Sequence, residues 1–119
     1  MLHVDNLSVS LGDFKLSDLS MTVEEGEYIV VLGMSGVGKT VLLELLSGLL
    51  KCDQGSIKLH GKDITHSKIQ SRPIRLVYQD QALFPHLSVR KNLEYGLRCQ
   101  HTPVSSMNRT LDALSTQLK

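Results

Sequence analysis

The sequence has almost no net charge, only two cysteines and no long apolar run. Its 13 Lys and Arg residues oppose 12 Asp and Glu residues, which leaves a net charge of +1. The basic surplus that usually marks a nucleic-acid-binding protein is therefore missing. The longest apolar stretches, residues 28–32 and 41–50, fall short of the roughly 20 residues that cross a bilayer. These absences argue against nucleic acid as a partner and against a membrane-spanning chain.

The cysteine pattern and the N-terminus indicate a cytosolic protein. Cys52 and Cys99 do not form a close pair of the metal-binding type, and residues 1–11 lack the basic and apolar regions of a secretion signal. We therefore expect two free thiols in a reducing compartment. With 119 residues, of which 41% are hydrophobic and 21% charged, the composition is that of an ordinary soluble domain.

Strands are predicted mainly in the first third of the chain. Residues 7–11 and 19–23 alternate apolar and polar side chains, which predicts two strands with one buried face each. Gly12-Asp13 between them is typical of a turn. Residues 28–32 are apolar without alternation, which predicts a strand covered on both faces at the centre of an α/β sheet. Shorter strands are predicted at residues 56–60 and 74–78, and Tyr78 is expected to be buried in the core as part of the second of these.

Three segments predict helices. Residues 40–50 contain six leucines and no proline, which is typical of a helix buried on most sides. Residues 89–97 predict a second helix, and a third has Ser105 or Ser106 as its N-cap. The apolar stripe of this third helix is Met107, Leu111, Leu114 and Leu118. The predicted class is α/β with an antiparallel β layer at the N-terminus.

The segment Gly33–Thr40 fits the pattern Gly-x4-Gly-Lys-Ser/Thr. Its glycines let the backbone turn tightly and approach a phosphate, so that consecutive N–H groups form an anion-binding nest at a helix start. Lys39 would bring a full charge to the β- and γ-phosphates, and the Thr40 hydroxyl is placed to bind Mg²⁺. The sequence therefore predicts a nucleotide phosphate site.

These residues resemble the ATP-binding subunits of ABC transporters. Gly33–Thr40 has the Gly-x-Ser-Gly-x-Gly-Lys-Thr form common in ABC-type ATPases. Residues 77–89 resemble the glutamine loop of that family, with Leu-Phe-Pro-His-Leu-Ser-Val following Gln79. The likeness covers about residues 2 to 100. It is greatest toward molybdate-, tungstate- or sulfate-type importers, on the basis of residues 11–16 and the run after Gln79.

The resemblance implies a P-loop NTPase core that binds ATP and Mg²⁺. It implies that Lys39 and Gln79 act in catalysis and that Thr40 and Gln79 hold the metal. Phe14 would stack on adenine. The implied nucleotide-binding set is Phe14, Gly33, Ser35, Gly36, Val37, Gly38, Lys39, Thr40 and Val41. Two alternatives stay open, namely that Gln79 is an ordinary surface residue and that Phe14 belongs to the core.

The resemblance also implies two protein partners, a membrane permease subunit and a second copy of the ATP-binding domain. Leu83, Phe84, Pro85 and His86 would border the groove that receives a permease helix, unless Leu83 and Phe84 simply pack inward. The protein would then be cytoplasmic and peripheral on the inner face of the cell membrane.

Several motifs of the family do not occur in these 119 residues. They are the signature loop, the acidic strand end, the catalytic glutamate and the switch histidine. We therefore expect residues 1–100 to be the N-terminal part of an incomplete ATP-binding domain and residues 101–119 the truncated start of its helical subdomain. By itself such a chain should hydrolyse ATP negligibly.

Three functions remain open at this point. The first is an ATP-binding subunit that couples ATP binding and hydrolysis to uptake of a small solute, such as molybdate, tungstate or sulfate. The second is a truncated, non-catalytic nucleotide-binding remnant. The third is a small-molecule P-loop kinase, which leaves residues 79–89 without a role.

Overall fold

The computed structural model describes residues 1–80 and 83–117. The chain divides into two compact units, Met1–Val77 and Tyr78–Lys119. The first unit carries an antiparallel sheet and one helix, and the second carries two helices.

The sheet of the first unit is built around a long hairpin. Strands β1 (Leu2–Leu11) and β2 (Phe14–Val23) pair antiparallel across the predicted turn at Gly12-Asp13. Both strands are longer than the alternating segments predicted them to be, because register shifts interrupt the alternation. Strand β3 (Gln54–Leu59) pairs with the other edge of β1, and the short β4 (Lys62–Asp63) pairs with β3. The order is β2-β1-β3-β4.

Helix α1 (Lys39–Ser47) supplies the other half of the core. Its leucines and the inward-facing residues of the sheet form one buried cluster, which is Val4, Leu7, Val9, Leu42, Leu45, Leu46, Ile57 and Ile64. The helix ends at Ser47 rather than at residue 50, because Gly48 adopts a left-handed conformation that terminates helices. A 3₁₀ turn at Ile69–Ser71 follows β4.

Two predicted strands do not form. Residues 28–32 and 74–78 have no strand conformation, and Tyr28, Leu32 and Val77 are 88%, 85% and 91% exposed. An apolar segment becomes a strand only when another segment satisfies its N–H and C=O groups, and no other described segment pairs with these two. The predicted burial of Tyr78 in a strand is also wrong, since this residue is 42% exposed.

The second unit is a helical hairpin. Helix α2 (Val89–Cys99) begins after Ser88, whose hydroxyl accepts a hydrogen bond from the Lys91 N–H at 3.3 Å. Helix α3 covers Val104–Gln117, so Ser105 and Ser106 lie inside its first turn and the N-cap prediction is wrong. Met107 and Leu111 of the predicted stripe are buried, whereas Leu114 is partly exposed. Leu118 lies outside the described residues.

Candidate phosphate-binding site

The loop before α1 has the backbone that the glycine pattern predicts. Gly36 and Gly38 have positive φ angles of 83° and 101°, and α1 begins directly after them at Lys39. The first helical hydrogen bond runs from the Leu42 N–H to the Gly38 carbonyl, at 2.9 Å. The N–H groups before Leu42 belong to the open first turn of the helix, where they can face a ligand. This arrangement favours an anion at the start of α1.

Lys39 folds back over the loop. Its Nζ donates to the Gly33 carbonyl at 2.7 Å and to the Met34 carbonyl at 2.8 Å. An ammonium group has three N–H donors, so two of them brace the loop and a third can turn toward a phosphate oxygen. The positive charge is thereby held beside the loop before any ligand arrives.

Phe14 lies against this loop although it comes from the hairpin. A Cβ added to Gly38 would sit 3.0 Å from Cε2 of Phe14 and closer still to Cζ. The ring therefore occupies the space that a side chain at residue 38 would need. Sequence reasoning placed Phe14 at the nucleotide, and the structure brings its ring to the last glycine of the loop.

The other predicted residues of the loop differ in exposure. Ser35, Gly36, Val37 and Thr40 are exposed, and the space around Gly36 is open. Val41 packs against the core, so its backbone rather than its side chain would face a ligand. The Thr40 hydroxyl is an oxygen ligand of the kind that Mg²⁺ prefers, and the residue that carries it is exposed. The first unit thus fits a magnesium-bound phosphate.

Gln79 belongs to the second unit, where it is exposed in a bend. Its amide oxygen is a chemically suitable magnesium ligand. Its pairing with Thr40 stays a prediction.

The C-terminal end of α1 is held by a residue that sequence reasoning missed. The Arg72 guanidinium is buried and donates to the carbonyls of Leu45 and Leu46 in the last turn of α1. Burial lowers the pKa of Arg72, and the neighbouring Cys52 thiol acts in the opposite direction. The last turn of α1 contains no basic residue of its own. Because a helix C-terminus favours a nearby cation, this lack is the one feature of the sequence that could have indicated a cation from another segment.

In the second unit, Asn92 fastens the loop in front of α2. Its Oδ1 accepts from the Phe84 N–H at 2.9 Å, and its Nδ2 donates to the Phe84, Leu87 and Ser88 carbonyls at 3.1–3.2 Å. The Phe84 ring packs on Tyr95 with 4.5 Å between centroids. Leu83 is 62% exposed and Phe84 38% exposed, so neither side chain is fully packed inward. Gln81 and Ala82, which precede this loop, lie outside the described residues.

Glu94 joins the turns of α2 and is itself buried. Its carboxylate accepts from Arg98 Nη2 and from Arg90 Nε, both at 2.9 Å. The hydrogen bond from Arg98 is the main reason why the pKa of Glu94 lies below its usual range, and the bond from Arg90 lowers it further. Arg90 also donates to Asn108 Oδ1 at 2.9 Å, which links α2 to α3.

No helix within residues 1–80 and 83–117 is long and apolar enough to cross a membrane. The same residues contain no group of three or more His, Cys, Asp or Glu side chains that could hold a metal ion.

Comparison with known proteins gives consistent matches. The ABC transporter family matches residues 16–119. The chain is 38% identical over 118 residues to the molybdate/tungstate import ATP-binding protein WtpC of Pyrococcus abyssi, covering 99% of this chain and 34% of that protein. It is 44% identical over 100 residues to the spermidine/putrescine import ATP-binding protein PotA of Haemophilus influenzae, covering 83% of this chain and 27% of that protein.

The chain thus spans about a quarter to a third of the length of these relatives. The family match includes the whole segment from the second strand through the phosphate loop to the last helix. The fold class predicted from the sequence, a P-loop NTPase with an N-terminal antiparallel β layer, is confirmed. The chain belongs to the ABC transporter family.

Proposed function

We propose that this chain is the ATP-binding part of an ABC importer and that the loop Gly33–Thr40 binds the phosphates of Mg-ATP. The observation that carries the proposal is the bracing of the loop by Lys39, whose ammonium contacts the Gly33 and Met34 carbonyls. A loop held in this way presents a positive charge and the first N–H groups of α1 on the same side. Both would meet the triphosphate without large rearrangement.

The roles of the residues follow from their chemistry. Lys39 would neutralise charge on the β- and γ-phosphates, and the N–H groups at the start of α1 would donate to their oxygens. Phe14 offers a flat apolar face beside Gly38 on which a base can stack. Thr40 would hold Mg²⁺, which when bound neutralises charge on the phosphates. The family resemblance gives Gln79 a metal-binding role as well, for which its amide oxygen is chemically suited.

The transported solute is proposed from the relatives. WtpC proteins are named for molybdate and tungstate import, and we propose an oxyanion of this kind as the solute. Spermidine and putrescine are a second candidate, because the PotA protein of Haemophilus influenzae matches at 44% identity. The partners in this proposal are a membrane permease subunit and a second copy of the ATP-binding domain. The protein would then lie on the cytoplasmic face of the membrane.

The site is tested by calorimetric titration of Mg-ATP into the wild type and the Lys39→Ala variant. Losing the charged donor should weaken binding by about 1.5–3 kcal/mol, the scale of a hydrogen bond to a charged group. Lys51→Ala, which removes an exposed lysine beyond the end of α1, is the matched control and should bind as the wild type does. Equal affinities of the wild type and the Lys39→Ala variant would remove the proposed site.

A further inference from the structure

Arg72 connects the end of α1 to the segment after β4. Its Nη1 donates to the Leu45 and Leu46 carbonyls at 2.8 and 2.9 Å, and its Nη2 donates to the Thr65 carbonyl at 2.7 Å. Its Nε donates to the Ser67 carbonyl at 3.3 Å. The side chain is only 3% exposed. One planar guanidinium therefore ties two backbone segments together inside the first unit.

Gly48 makes room for this arrangement. A Cβ at residue 48 would lie 2.6 Å from Arg72 Nε and 2.9 Å from its Cζ. The backbone there has a φ of 86°, so both the left-handed turn and the guanidinium require glycine. The end of α1 is built to receive Arg72.

The two ends of α1 have different neighbours. The helix has only nine residues, a length at which an isolated helix is marginal in water. Its N-terminal end carries Lys39 and the phosphate loop, and its C-terminal carbonyls meet the cation of Arg72. A helix of this length is a rod of roughly 13 Å, so a tilt at one end moves the other.

We propose that Arg72 is a positioning residue for the phosphate site. By fixing the C-terminal end of α1 against the Thr65–Ser67 segment, it sets the direction from which Lys39 and the first N–H groups of the helix meet a phosphate. The proposal rests on the proposed function of the loop. It adds to that function a residue from the opposite end of the helix.

The test compares Arg72→Lys with Arg75→Lys. Lysine keeps the charge at residue 72 but loses the planar fork that donates to four carbonyls at once. Arg75 is exposed and donates to the nearby Arg72 and Ile74 carbonyls, so its variant is the matched control. With Mg-tripolyphosphate as the probe, the Arg72→Lys variant should bind about tenfold more weakly, and the control should match the wild type.

A second readout separates positioning from simple loss of stability. Without ligand, the amide NMR signals of Gly36 and Gly38 should shift in the Arg72→Lys variant and stay in place in the Arg75→Lys variant. A purely structural role would lower the melting temperature and leave these signals of the folded protein unchanged. That result, or unchanged tripolyphosphate binding by the Arg72→Lys variant, would overturn the inference.

The wild type provides a test that does not depend on a folded variant. Tripolyphosphate bound at the start of α1 should slow hydrogen exchange of the Gly48 N–H, which donates to the Glu44 and Leu45 carbonyls at the far end. Binding of tripolyphosphate without any change in exchange at Gly48 would contradict the positioning role of Arg72 but not the proposed function of the loop. A wild type that binds no tripolyphosphate would overturn the proposed function, and this inference with it.

Discussion

Two side-chain contacts shape the phosphate loop. Lys39 holds the Gly33 and Met34 carbonyls from inside the loop, and the Phe14 ring covers Gly38 from the hairpin. The glycine at residue 38 is consequently required twice, once by its φ of 101° and once by the aromatic ring beside it.

The second requirement predicts a specific result for Gly38→Ala. The variant should lower the free energy of unfolding by more than Gly36→Ala does. Both place alanine at a positive φ, which costs about 1–2 kcal/mol, but only residue 38 has the ring against it. Urea unfolding measures both.

The Phe14→Ala background supplies the control for this comparison. Without the ring, the cost of Gly38→Ala should fall to that of Gly36→Ala. If the two costs still differ in that background, the contact is not their cause.

Glu94 predicts a pH dependence of stability. Because Arg98 and Arg90 lower the pKa of its carboxyl below the usual 4.5, the unfolded chain takes up the proton first as the pH falls. The contribution of Glu94 is therefore complete above its unfolded pKa and is lost as the pH drops through the folded value. Glu94→Gln should be less stable than the wild type at pH 7, with a difference that shrinks in acid.

Thermal unfolding between pH 7 and pH 3 tests this expectation. Glu25→Gln, at an exposed turn of the first unit, should follow the wild-type curve throughout. If the melting temperatures of Glu94→Gln and the wild type differed by the same amount at every pH in this range, the ion pairs of Glu94 would make no pH-dependent contribution to stability.

At the scale of elements, sequence patterns predicted those helices and strands that are determined by interactions between residues close in the chain. Alternation with the Gly12-Asp13 turn predicted the hairpin, and the leucine-rich segment predicted α1. Residues 28–32 and 74–78 could not be predicted in this way, because a strand depends on a partner distant in the chain. Arg72 and Asn92 were not predicted for a related reason, since their partners are backbone groups, which every residue type carries.

The candidate phosphate-binding site was likewise predictable only where it depends on residues close in the chain. The glycine spacing predicted a tight turn before a helix at residues 40–50, because both depend on consecutive residues. The structure has positive φ angles at Gly36 and Gly38 and a helix that starts at Lys39. The contact between Phe14 and Gly38 depends on how the hairpin packs on the loop. The family resemblance suggested a nucleotide role for Phe14, whereas the contact itself needed the fold.

We expect the hydrogen bonds of Asn92 to hold the loop before α2 in place. Asn92→Ala should speed hydrogen exchange of the Phe84 N–H by about tenfold. The variant loses the hydrogen bond that Asn92 accepts from this N–H together with the three that Asn92 donates. Asn108→Ala removes a polar contact to Arg90 on the neighbouring helix and should leave the Phe84 signal unchanged. Equal exchange at Phe84 in the Asn92→Ala variant and the wild type would mean that other contacts hold the loop.

At the scale of the whole molecule, apolar surface is the dominant feature. The segment 28–32 is exposed at every residue, from 39% at Ile29 to 88% at Tyr28, and Val77 adds to the apolar surface of the first unit. Unpaired extended segments of this kind invite association with other chains. The chain also spans only 34% of the length of its Pyrococcus abyssi relative.

The 119-residue chain is therefore expected to self-associate. Light scattering should increase with concentration, and the dye ANS should fluoresce when it binds the exposed apolar segments. The double variant Val30→Lys/Leu32→Lys places charges in the segment 28–32 and should reduce both signals. A monodisperse wild type with no ANS binding would contradict the prediction.

Hydrolysis is expected to be negligible for the 119-residue chain. Lys39 and the loop can bind phosphates, but the sequence contains none of the family's signature loop, catalytic glutamate or switch histidine. Positioning and charge stabilisation by such groups carry phosphoryl transfer. Phosphate release with saturating Mg-ATP should stay at the level of the Lys39→Ala variant, and turnover at the rate of an ordinary ABC ATPase would refute this.

The ring of Phe14 above Gly38 has an evolutionary consequence. The two positions share one volume, so natural variants cannot change them independently. A homologue with a side chain at the position of residue 38 must carry a smaller residue at the position of Phe14. The residues that the loop tolerates at this position are thereby limited by a side chain of the first hairpin.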